Sequence, residues 1–106
     1  MAKYLITGSY SQAGVQGLLK EGGTGRREAI AELLASQGGT LESVYYAFGE
    51  DDLFAIVDVP DNVSAAAICL TVGAAGAFNL RTVVLLTPEE MDEASKKSVA
   101  YRPPGT

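Results

Sequence analysis

The alternation of apolar and polar side chains divides the chain into strand-like and helix-like segments. Lys3 to Tyr10 alternates and is rich in β-branched and aromatic residues, which predicts a strand. Ser11 to Lys20 carries Val15, Leu18 and Leu19 and predicts a helical turn or two, broken by Gly22-Gly23. A helix follows, with Thr24 as N-cap and Ile30, Leu33 and Leu34 as its apolar stripe. It runs to about Gln37, where Gly38-Gly39 ends it. Thr40 to Phe48 predicts a second strand, Gly49 to Asp52 an acidic turn, and Leu53 to Val59 a third, almost wholly apolar strand. Pro60 stops that strand. Asp61 or Asn62 caps a second helix, rich in Ala and Gly, that reaches about Ala75 before Gly76. Phe78 to Thr87 predicts a fourth strand. Thr87-Pro88-Glu89-Glu90 then opens a third helix, with Thr as N-cap, Pro first, acids in the first turn and Lys96-Lys97 in the last. Tyr101 to Gly105 reads as an extended, polyproline-like tail.

The order β-α-β-β-α-β-α is that of an α+β, ferredoxin-like fold over residues 1–106, with a C-terminal helix added. It implies a four-stranded antiparallel sheet with helices on one face. The other face of such a sheet is polar when it meets water. In the third strand Leu53, Ala55, Val57 and Val59 point one way, and Phe54, Ile56 and Asp58 the other. In the fourth, Leu80, Thr82, Val84 and Leu86 oppose Arg81, Val83 and Leu85. Both faces are apolar enough to need cover. The economical solution is a homodimer in which two sheets face each other and close a dimeric α/β barrel.

Composition narrows the partners. The chain has 106 residues, 47% of them hydrophobic, which suits one domain with a real core. A net charge of −5 argues against nucleic acid and anionic membrane as partners. No apolar run has the length of a membrane span. The N-terminus enters strand-like sequence at once, without a signal peptide's apolar core or cleavage site. Cys69 is the sole cysteine, so no internal disulfide is available. These features predict a soluble, cytoplasmic protein. Histidine is absent, which excludes a Cys/His zinc site within one chain and predicts neither metal nor cofactor. It also removes the side chain best suited to proton transfer near neutrality.

Several stretches resemble the GYD-domain family, small chains placed among the dimeric α/β-barrel folds. They are Tyr10 to Gly25 leading into Arg26-Arg27, Ala47 to Asp52, Asp58 to Asn62, Leu86 to Glu90, and Ser98 to Gly105. The family's Gly-Tyr-Asp signature falls at the turn before the third strand. Here Gly49 and Asp52 match, and Asp51 stands at the tyrosine position. The resemblance implies the fold and self-association. It brings no reaction and no catalytic residues.

Two groups of residues are candidates for a site. On the face that the helices leave open, strand phase places Thr7, Ser9, Tyr45, Phe54, Asp58 and Arg81 among Leu5, Ile56, Val83 and Leu85. An apolar cleft with a few convergent polar groups describes a small-molecule site. Asp58 belongs on a central strand and needs a partner or a raised pKa there. The structural alternative is that Asp58 and Arg81 form salt bridges between subunits. The second group is Lys20, Arg26 and Arg27 around Gly22-Gly23-Thr24, an anion grip. Its alternative is pairing with Glu21, Glu28, Asp51 or Asp52, or with acids of a neighbouring chain. The Gly-Lys-Ser/Thr ending of a P-loop is missing. Glu50, Asp51 and Asp52 lack the spacing of a cation loop and read as a solvated turn. Tyr4, Tyr10, Tyr45, Tyr46 and Phe48 read as core or interface aromatics, and Cys69 as a small apolar residue.

These features favour a non-enzymatic homo-oligomeric module that is structural or binds a small ligand between subunits. The alternative is a cofactor-free isomerase or monooxygenase of the dimeric α/β-barrel type, with Asp58 or Tyr45 as acid/base. A third possibility is a sensor with a trimeric ferredoxin-like build, in which an effector orders the Gly49–Asp52 turn.

Overall fold

The computed structural model describes residues 1–106. Its elements are β1 (Ala2–Tyr10), α1 (Gln12–Ala35), β2 (Thr40–Tyr46), β3 (Leu53–Val59), α2 (Asn62–Ala75), β4 (Phe78–Leu85) and α3 (Pro88–Ser95). The four strands form one antiparallel sheet in the order β2-β3-β1-β4. This is the α+β, ferredoxin-like arrangement that the pattern predicts, with α1 and α2 covering one face. No helix is long and apolar enough to cross a membrane.

Alternation in β3 builds the core. Leu53, Ala55, Val57 and Val59 are all buried, and they join Tyr4, Leu34 and Ile68 beneath the helices. Each fully buried aliphatic side chain, such as Leu34 or Val57, contributes about 1.5–3 kcal/mol.

Local chemistry sets the helix ends. Ser11 caps α1 by accepting from the Gly14 N–H at 3.2 Å. Asp61 caps α2 by accepting from the Ser64 N–H at 2.8 Å, which holds its carboxyl below the usual range. Gly76 closes α2 in the left-handed conformation. Thr87 and Glu90 form a reciprocal capping box at the start of α3.

Some boundaries differ from the sequence expectation. The segment after Ser11 is a full helix rather than a turn or two, and it bends at Gly22 instead of stopping. Gly22 has φ 82° and ψ 160°, a conformation costly for a side chain with Cβ. Because a single residue absorbs the break, the helix restarts at once, and Thr24 lies inside it rather than capping it. Helix α1 ends at Ala35, two residues early. Strand β2 stops at Tyr46 because the Ala47 N–H turns to the Asp52 carbonyl at 2.9 Å. Strand β4 stops at Leu85 and Thr87 serves as a cap. Helix α3 ends at Ser95, so Lys96 and Lys97 fall just beyond its last turn.

The chain is extended for its size. Its radius of gyration is 16.8 Å, against about 13 Å for a compact domain of this length. Every residue of α3 is exposed, and the helix makes no substantial packing with another element. The tail from Tyr101 to Thr106 is exposed as well.

One close approach fixes the sheet. A Cβ on Gly8 would lie 2.0 Å from the Asn79 carbonyl oxygen, so β1 and β4 meet without room for a side chain. Gly8→Ala is expected to destabilise the fold by about 1–3 kcal/mol through forced backbone displacement, measured by urea denaturation.

Candidate functional site

The open face of the sheet is ordered in rungs. Residues paired across neighbouring strands share a face, and residues two apart along a strand return to it. One rung runs Tyr45–Phe54–Thr7–Arg81 across all four strands. The next runs Ser43–Ile56–Leu5–Val83, and the one after it Thr40–Asp58–Lys3–Leu85. Ser9 sits beyond the first rung, opposite Asn79. All six open-face candidates therefore do share one face. Four of them make a single rung, Ser9 flanks it, and Asp58 stands two rungs away.

Their availability differs. Tyr45 is 72% exposed and Phe54 is 39% exposed. Thr7 is buried, and its hydroxyl donates to the Leu53 carbonyl at 2.9 Å, so it ties two strands together. Arg81 pairs with Asp51 of the turn before β3. Asp58 accepts from the Lys3 ammonium at 3.2 Å, and Lys3 also pairs with Glu42. The hydrogen bond to Glu42 is the chief cause of a raised Lys3 pKa; Asp58 adds to it and partial burial opposes it. Asp58 and Arg81 thus have separate partners within their own chain. Sequence reasoning missed Lys3. The phase that selects Thr7 and Ser9 also selects Lys3, so the signal was there. Glu42 was harder to find. It reaches this face through an irregularity in β2 pairing between Leu41 and Ser43, which simple alternation does not show.

Across the sheet, beneath the helices, lies a cavity of about 320 Å³. It is walled by α1, α2, β1, β3 and β4, and its lining is almost wholly apolar. Of the second candidate group, only Arg26 lines it. Lys20 and Arg27 are exposed. Arg26 alone of the trio borders this space. Arg26 touches Glu21 at 3.4 Å with one guanidinium nitrogen.

Aromatic residues organise this corner. The Tyr46 hydroxyl donates to the Gly23 carbonyl at 2.8 Å and holds the α1 bend against β2. Burial raises the Tyr46 pKa. The Tyr10 ring meets Phe78 with centroids 4.8 Å apart. The Tyr10 backbone N–H donates to the Asp52 carboxylate at 3.0 Å, and the Asp52 N–H donates to the Gly8 carbonyl at 2.7 Å. The acidic turn is thus fastened to β1 through Asp52 and to β4 through Asp51.

Burial is also the main reason that the Tyr10 phenol is pushed up to about 12, with Tyr46 adding to the shift. The folded state keeps this proton where the unfolded chain, near pKa 10, gives it up. The Tyr10 contribution is intact below pH about 10 and is lost as pH rises through about 12. Thermal melts across that window are expected to show a falling midpoint, with a smaller fall in Tyr10→Phe.

No curated protein matches the chain in sequence. The family model of the GYD domain matches residues 4–95, from β1 through α3. With nearly all of its ordered elements inside that match, the chain belongs to the GYD-domain family.

Proposed function

We propose that this chain is a non-enzymatic homo-oligomeric module whose open sheet face is closed by a second copy of itself. The surface left uncovered carries this reading. The single chain exposes 7305 Å², against about 5,600 Å² for a folded monomer of 11.0 kDa. The excess, about 1,700 Å² per chain, is about twice what a standard interface removes from each partner and within the range of an obligate dimer. The exposed α3 and tail account for part of it, and the open face of the sheet for another part. Phe54 and Val83 are exposed on the open face, with half-buried Leu5, Ile56 and Leu85 between and beside them. The α3 helix adds exposed Met91, and the tail adds Tyr101.

The face offers chemistry suited to a two-fold contact. Its middle rung is apolar except for Ser43, and a charged cluster stands at one end: Lys3 with Asp58 and Glu42. An apolar centre with a polar rim is the usual anatomy of a subunit interface. A small ligand held between subunits would meet the Tyr45–Phe54–Arg81 rung first. The enzyme alternative gains no support from the geometry. Asp58 and Tyr45 stand on rungs too far apart to act on one proton, and Asp58 is engaged by Lys3.

Native mass spectrometry and light scattering at micromolar concentration are expected to find a dimer or a higher oligomer. Val83→Asp puts a carboxylate in the middle rung and is expected to weaken association at least tenfold, because burying an unpaired charge costs more than about 1.4 kcal/mol. The same variant is expected to keep the circular dichroism of the folded subunit. A wild-type chain that stays monomeric and folded at these concentrations overturns the proposal.

A further inference from the structure

We propose that the cavity between the helices and the sheet binds an amphipathic monoanion, a carboxylate on an apolar body, with Arg26 as its anchor. The inference concerns the face opposite the proposed subunit interface and does not rest on self-association.

Size is the first argument. Protein interiors leave few voids larger than a water molecule. An apolar cavity of about 150 Å³ already takes a benzene-sized molecule. This one has about 320 Å³, at the lower end of the range for small-molecule sites. It suits a substituted ring or a medium alkyl chain.

Shape follows from sequence. Ala55 on the central strand, Ala75 at the end of α2 and Ala77 just before β4 present only methyl groups to the space. Helices α1 and α2 both pack on the sheet but make little contact with each other. No side chain of the molecule fills the gap between them. Ile6, Ile30, Val72 and Phe78 give it an apolar wall.

Charge selects the ligand. Arg26 is the sole charged residue on the lining. Its side chain is 36% exposed, which places it where the cavity meets solvent. It carries five N–H donors, and its single contact with Glu21, at 3.4 Å, is long for a hydrogen bond. A guanidinium held beside an apolar space complements a carboxylate, which it can grip with two parallel bonds. A neutral apolar ligand would leave the donors to Glu21 and water. Two other lining side chains carry hydroxyls: Thr71, which already gives its proton to the Ala67 carbonyl at 2.8 Å, and Tyr10, whose phenol stays protonated near neutrality and can donate to an anion.

Isothermal titration calorimetry with decanoate, below the concentration at which it self-associates, tests the proposal on the full chain. One saturable site per chain is expected. Arg26→Gln is expected to weaken decanoate binding at least tenfold while leaving decanol binding within about twofold, since only the anion uses the guanidinium. Ala55→Leu fills the cavity from the rigid central strand and is expected to abolish binding of both probes without changing the native mass of the assembly. Absence of saturable binding by wild type overturns the proposal. So does equal decanoate affinity in Arg26→Gln. If Ala55→Leu does not fold, Val72→Phe supplies the same test from the helix side. Undiminished decanoate binding by a folded cavity-filling variant would put the site elsewhere and overturn the assignment.

Discussion

The structure depends on a mismatch between what the sheet needs covered and what its own chain supplies. Strand β3 is apolar on both sides except at Asp58. Leu53, Ala55, Val57 and Val59 are buried beneath α1 and α2, whereas on the other side Phe54 is exposed and Ile56 half-buried. A central strand with two apolar faces calls for two covering layers. The chain has a third helix, but α3 is exposed throughout and makes no substantial packing with the sheet. The unpacked α3 and tail also give the chain its extended shape.

Much of this was legible in the residues, and the reason is that local rules and tertiary packing agree here. Alternation marks β3 at its true limits. Thr87-Pro88-Glu89-Glu90 carries its capping chemistry in four consecutive residues, and Asp61 stands where the α2 cap is needed. The misreadings come where one residue does something that a propensity rule averages away. Gly22 looked like a terminator because two glycines together usually end a helix. A single left-handed residue is enough to redirect the chain, and the Tyr46 hydroxyl holds the two halves of α1 in place through Gly23. That bond links residues far apart in sequence, and no local pattern announces it.

The candidate sites divide along the same line. Strand phase put six residues on one face correctly, because phase is a property of the strand alone. It did not say which of them share a rung, because that depends on inter-strand register. Register separates Asp58 from Tyr45 and gives Asp58 to Lys3. Likewise, the helical angle of Arg26 relative to Ile30, Leu33 and Leu34 placed it near the apolar stripe. The cavity it borders could not be read from α1, because its other walls come from β1, β3, β4 and α2.

Strand β3 connects the two faces. Its odd-numbered residues line the cavity or the core, and its even-numbered residues form the centre of the open face. A small side chain at Ala55 leaves space on one side, while Phe54 and Ile56 beside it keep the other side apolar. The two faces are thus set by alternate positions of one strand, so each can vary without the other as long as the register with β1 and β2 is kept. A slip of one residue would exchange them, placing Asp58 in the core and Val57 in the open. Against that slip stand the Asp52 carboxylate on the Tyr10 N–H and the Asp52 N–H on the Gly8 carbonyl, which join the start of β3 to β1. The acidic turn is therefore part of what keeps the open face and the cavity on their proper sides of the sheet.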